Sequence, residues 1–101
     1  MEKFTMYGKL TAQPGKRDEL VQILLEAAEG LRDYEGCLLY IVNVSDEEPD
    51  AVWVTELWTN AEAHAASLKN EAAMEQIKRA RPIIASVDNP IRLRPVGGKG
   101  L

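Results

Sequence analysis

The sequence predicts an α+β fold in which two successive β-α-β units share one antiparallel sheet. Three observations carry this. Four stretches read as strands, two longer stretches hold apolar residues at helical spacing, and they follow one another as β-α-β, β-α-β. At 101 residues the chain suffices for one domain, spanning 1–101, and not for two.

Phe4 to Ala12 alternates as a strand, with Phe4, Met6, Gly8 and Leu10 on one face and Thr5, Tyr7, Lys9 and Thr11 on the other. Gln13-Pro14-Gly15 ends it, because proline withdraws a ladder donor and glycine permits a turn. From Lys16 the period lengthens. Leu20, Ile23, Leu24, Ala27, Ala28 and Leu31 fall on one side of a helix, opposite Arg17, Asp18, Glu26, Glu29 and Arg32. Gly30 weakens this helix late, and Gly36 closes the passage.

Cys37 to Val44 is rich in β-branched and large apolar residues, as in a strand covered on both faces. The acidic run Ser45 to Asp50 reads as a solvated turn. Cys37–Val44 and Ala51–Trp58 then form a hairpin whose loop is longer than the tightest kind. Asn60 stands where an N-cap belongs, ahead of a helix through Leu68, Ala72, Ala73 and Ile77, with a break expected near Lys69-Asn70. Arg81-Pro82 disfavours its continuation. Ser86 to Val96 supplies the last strand, with Ile91 and Leu93 facing in and Arg92 and Arg94 facing out.

Right-handed crossovers assemble these elements into a ferredoxin-like βαββαβ plan, a four-stranded antiparallel sheet with both helices on one face. The opposite face is left bare. Leu38 or Leu39, Tyr40 or Ile41, and Trp53 or Val54 must lie on it whichever register holds. Such a face is an association surface, and a second copy stacked sheet on sheet is the simplest cover. The expected partner is the chain itself, as a homodimer.

Composition narrows the function. The formal charge of −4, from 12 Lys+Arg against 16 Asp+Glu, argues against nucleic acid as a partner, since phosphate-backbone affinity needs clustered cations. The one basic cluster, Lys78, Arg79 and Arg81, falls at a helix end, where cations complement the dipole. Cys37 is the only cysteine, so no intrachain disulfide forms, and it reads as a small buried hydrophobe. No apolar run approaches the roughly 18 residues of a membrane span, which points to a soluble, cytoplasmic protein with no membrane partner. No GxGxxG, GxxxxGK[ST], CxxC or HExxH occurs, and one His with one Cys cannot build a His- or thiolate-rich metal site in one subunit.

The chemically informative stretch runs from Thr55 to Leu68. Glu56 and Trp58, two apart on a strand, point to one face beside Val54. His64 follows one turn into the next helix, sharing a helical face with Ser67 or Leu68 and with Glu71. A tight strand-to-helix corner brings the indole and the imidazole to one cavity mouth, giving an aromatic wall, a group titrating near neutral pH and a carboxylate. The bland alternatives weigh against this. Trp58 at a strand end is commonly core, His64 in a first turn is commonly exposed, and Glu56 could instead face a cation across the dimer contact. His64 and Glu56 are the catalytic candidates. Trp58, Val54, Tyr40, Met6 and Ser67 are the candidates for the substrate-binding wall, and Tyr40 also suits plain packing.

These residues carry a family likeness. PGK-x-x-EL (Pro14, Gly15, Lys16, Glu19, Leu20) opens the first helix, and GCLLY (Gly36 to Tyr40) enters the second strand. TELW (Thr55 to Trp58), E-x-H-x-x-SL (Glu62 to Leu68), RP-I-I (Arg81 to Ile84) and PVGGKGL (Pro95 to Leu101) follow in order. In these the chain resembles the antibiotic biosynthesis monooxygenases, in particular a quinol-monooxygenase-like subgroup of dimeric α+β barrel proteins. The resemblance implies a homodimer with facing sheets and a pocket between sheet and helices in each subunit. It implies oxidation of a quinol-like or polycyclic phenolic aromatic by O2 without flavin, haem or metal, so no cofactor is expected. Trp58 matches the pocket tryptophan of that family, and His64 stands where some relatives place a polar helix residue. Val54 departs from the pattern, because those oxygenases carry a polar residue there. The haem-degrading branch needs an Asn, a Trp and a His where this chain has Gly8, Ser67 and Ile77, so haem degradation is disfavoured. A non-enzymatic small-molecule-binding or stress-associated dimer on the same scaffold is the rival expectation.

Overall fold

The structure, a computed structural model, describes residues 2–101. Strand β1 (Phe4–Ala12) leads to helix α1 (Arg17–Gly30), and strands β2 (Cys37–Ser45) and β3 (Glu48–Trp58) follow. Helices α2 (Ala61–Ser67) and α3 (Glu71–Ala80) precede a short 3-10 turn (Arg81–Ile83) and strands β4 (Ile84–Val87) and β5 (Ile91–Leu93). The antiparallel sheet runs β2-β3-β1-β4, with β5 on the same edge of β1 further along. The helices lie on one face, as the ferredoxin-like plan requires.

Local chemistry sets the boundaries. Pro14 and Gly15 occupy the middle of the turn closed by Lys16 N–H donating to the Gln13 carbonyl at 2.9 Å, and Gly15 takes φ +77°. The expected break near Asn70 is real. Asn60 Oδ1 accepts from Ala63 N at 2.7 Å, and Asn70 Oδ1 repeats the device on Ala73 N at 2.7 Å. Asn70 therefore starts a new helix rather than continuing the old one. Of the basic cluster, Arg79 makes a bidentate pair with Glu26 of α1 at 2.9 and 3.0 Å.

Three expectations are corrected. The β2–β3 hairpin closes through only Asp46-Glu47, because Ser45 and Glu48 already pair and a register irregularity takes up the slack. The last strand is not continuous from Ser86 to Val96. It divides into β4 and β5 around Asp88-Asn89-Pro90, where proline cannot donate to a ladder, so the sheet has five strands rather than four. The inward side of β5 is also reversed. Leu93 and Ile91 oppose Thr5 and Tyr7 on the bare face, whereas Arg92 opposes Met6 on the helix side.

The core lies between sheet and helices around Leu20, Ile23, Val52, Ala12 and Ala80. Register settles the open alternatives on the other face, which presents Leu39, Ile41 and Trp53 together with Tyr7, Ile91 and Leu93. Of these, Leu39, Ile41, Ile91 and Leu93 each stay about half exposed.

Gly36 marks a close approach. A Cβ there would lie 2.8 Å from Ala63 Cβ and 2.9 Å from Tyr34 Cε2. Gly36→Ala is accordingly expected to cost about 1–3 kcal/mol of stability, the range for overpacking, in a thermal or urea melt. An unchanged melting midpoint would show that α2 yields freely.

Candidate active site

Strand β3 places Val52, Val54, Glu56 and Trp58 on the helix-clad face, opposite Leu10, Gly8, Met6 and Phe4 of β1. Two residues after Trp58, Asn60 caps α2 and turns the chain back over the sheet end, setting His64 above Trp58. Their rings meet edge-on, 5.1 Å between centroids at 70°. Phe4 closes the other side of the imidazole at 5.7 Å. Tyr34 packs edge-on against Trp58 at 6.2 Å and donates its hydroxyl to the Ala63 carbonyl at 3.1 Å, tying α2 to the site.

Glu56 joins these aromatic groups. Its Oε1 accepts the Trp58 indole N–H at 3.0 Å and lies 3.8 Å from His64 Nε2. The carboxylate thus faces the helices, not the bare sheet face. Burial raises the Glu56 pKa, and the indole hydrogen bond opposes that by favouring the charged form. Burial lowers the His64 pKa, and the positive charge of Arg92 adds to it. Tyr40, directly across from Glu56 on β2, has its phenol pushed well above the ordinary value by burial and by the neighbouring carboxylate, so it stays a hydroxyl donor.

Beside this cluster lies a half-open cavity of about 340 Å³ between the sheet, α1 and α3. Tyr40, Glu56, Trp58, His64 and Ser67 all line it, forming its polar end. Its remaining wall is mostly aliphatic, from Leu20, Ile23, Leu24 and Ala27 of α1 and from Ala73 and Ile77 of α3. The proposed wall residues Met6 and Val54 are buried on the same sheet face but lie outside this lining. Ser67 is present, yet its hydroxyl is committed to the His64 carbonyl at 2.7 Å. Glu71 does not share the face of His64, because α2 ends at Ser67 and Glu71 opens α3, where it is exposed.

The aliphatic wall escaped sequence reasoning because its signal, apolar residues at helical spacing, is the same for a filled core and for a cavity lining. Cys37 is half-buried and its thiol pKa is raised by burial, the opposite of an activated nucleophile. Among the described residues no three His, Cys, Asp or Glu side chains gather as a metal-ligand group, and no helix is long and apolar enough to cross a membrane.

His64 is the sole histidine, so its proton NMR signals titrate without overlap. Its midpoint is expected below the ordinary 6.5. Arg92→Gln should raise it, because removing a nearby positive charge relieves the imidazolium. A midpoint unmoved by that substitution would exclude Arg92 as a determinant.

The fold recurs among known proteins. The family model described as antibiotic biosynthesis monooxygenase matches residues 3–79. A crystal structure from Chloroflexus aurantiacus, provisionally named an antibiotic biosynthesis monooxygenase, is 41% identical, with 97% of each chain covered and a TM-score of 0.88. Two similarly named structures share the fold at lower identity. The one from Deinococcus radiodurans has 24% identity, coverage of 97% and 95%, and a TM-score of 0.75. The one from Bacteroides thetaiotaomicron has 17% identity, coverage of 98% and 93%, and a TM-score of 0.85. No match is found among curated proteins.

Proposed function

This chain belongs to the antibiotic biosynthesis monooxygenase family, and from that premise we propose that it is a monooxygenase oxidising a quinol-like or polycyclic phenolic aromatic with O2, without flavin, haem or metal. The single observation supporting this most is the Trp58–Glu56–His64 cluster at the polar end of an otherwise aliphatic cavity.

In this chemistry the substrate supplies all four electrons that O2 takes up. Neutral His64 takes the hydroxyl proton, Glu56 stabilises the imidazolium that forms, and Trp58 provides the aromatic wall. The resulting phenolate reduces O2. One oxygen atom enters the ring and the other leaves as water, so a hydroquinone becomes a hydroxyquinone. The depressed pKa of His64 keeps the imidazole neutral, and hence basic, at neutral pH. The Tyr40 hydroxyl is available to stabilise the developing oxyanion.

The test is oxygen consumption with a panel of hydroquinones in buffer free of added cofactor, against an anaerobic control. Saturable, substrate-dependent uptake with hydroxyquinone formation is expected. Binding without uptake would favour the rival, a non-enzymatic binder. That reading draws support from the committed Ser67 hydroxyl and from the apolar Val54, which leave few oxyanion donors.

The reading takes residues 1–101 as one domain and places the protein in the cytoplasm. It also makes the protein a homodimer with facing sheets. The support is the apolar bare face of Leu39, Ile41, Trp53, Ile91 and Leu93, a surface that water covers poorly. Sedimentation equilibrium at micromolar concentration is expected to give twice the 11.2 kDa chain mass. A lone chain would exclude the dimer.

A further inference from the structure

We infer that the cavity admits uncharged aromatic ligands and rejects carboxylated ones, with Glu56 acting as the charge filter. The inference deepens the oxygenase reading and rests on it for the choice of a hydroquinone as ligand.

Among the described residues lining the cavity, Glu56 is the only carboxylate, and neither lysine nor arginine is present. The cations nearby are directed elsewhere. Arg79 is held by Glu26 on the outer side of α1 and α3. Arg92 stands behind Phe4, its guanidinium 5.7 Å from that ring, with the ring in turn 5.7 Å from His64. Three of the neutral donors are committed, while the Tyr40 hydroxyl and the Gln76 amide also line the cavity but bring no positive charge. The Trp58 indole N–H is bound to Glu56, the Ser67 hydroxyl to the His64 carbonyl, and the Asn70 amide to the Ser67 carbonyl.

A carboxylate entering this space would lose its hydration, find no cation in the lining to pair with, Arg92 being separated from it by Phe4, and face Glu56 across a weakly screening medium. A hydroquinone hydroxyl, by contrast, can donate to Glu56 or to His64 at no such cost. The charged and titratable groups bearing on the polar end are Glu56 of β3, His64 of α2, Tyr40 of β2 and Arg92 of β5. Protonation of Glu56 would remove its repulsion yet supply no positive charge, so the preference keeps its sign.

The experiment is calorimetric titration of the whole protein under nitrogen, at about pH 8, where an ordinary histidine is neutral. The probes are naphthohydroquinone and the same molecule bearing a carboxylate on its hydroquinone ring. The neutral probe should bind, and the carboxylate should bind at least about a hundredfold more weakly, as for an unpaired buried charge. Glu56→Gln should narrow that gap by about tenfold, the scale of one charge at close range. Equal affinities, binding of neither probe, or a gap unchanged in Glu56→Gln would each overturn the inference. Should that variant not fold, a probe bearing a quaternary trimethylammonium group on the ring, charged at every pH, decides on the unaltered protein. It should bind more than about tenfold tighter than the carboxylate, and equal affinity would remove Glu56 from the role. Selective binding without oxygen uptake in air would sustain the filter and overturn the oxygenase. Equal uptake with both probes would do the reverse.

Discussion

His64→Ala is expected to lower quinol-dependent oxygen uptake by about 10²–10⁴-fold, the usual worth of a positioned general base. The substitution should leave the fold in place. The imidazole sits 3.8 Å from Glu56, beyond hydrogen-bond length, and its packing partners Phe4 and Trp58 are also held by the sheet. Circular dichroism and the melting midpoint separate lost chemistry from lost structure. The pH profile gives a second readout. Activity of the unaltered protein should fall as pH drops through the His64 pKa, because only the neutral imidazole accepts a proton. Burial and Arg92 hold that pKa below the ordinary 6.5, so the acid limb should lie below it. Arg92→Gln should move the limb upward. Turnover unaffected by His64→Ala would remove this residue as the base.

Trp58→Ala is expected to cost about 3–5 kcal/mol of stability, the range for deleting a large buried aromatic side chain. Trp58 is only 1% exposed and packs against Tyr34 and His64. For a chain of this size each kcal/mol lowers Tm by about 4–8 °C, so the protein would be close to its unfolding limit at ordinary temperature. Trp58→Phe separates packing from polarity. Most of the buried area survives, but Glu56 loses the indole N–H that favours its charged form. Its pKa should therefore rise further and stability fall by about 1–3 kcal/mol, the cost of stranding a buried polar group. Equal melting points for the two variants would show that the hydrogen bond, not the ring volume, dominates.

Much of the site was legible before any coordinates. Alternation put Glu56 and Trp58 on one strand face, and Asn60 announced the helix that brings His64 over them. The pairing of Glu56 with the pocket rather than with the bare face was not legible. Strand alternation says which residues share a side but not which side the helices take. Met6 and Val54 show the same limit. They occupy the correct face, but their place outside the cavity depends on where α1 and α3 pack.

The amino-acid sequence by itself determined the order of strands and helices, the family, and which side chains could meet at the strand-to-helix corner. The first and the last follow from periodicity, caps and turns acting over a few residues, and the family from the resemblance carried by the ordered motifs between Pro14 and Leu101. The tertiary structure alone decided that Arg92 belongs to the helix side and that the aliphatic stripe of α1, besides building the core, walls a cavity. Those outcomes depend on register and on gaps between elements distant along the chain, and packing over such separations leaves no periodic trace.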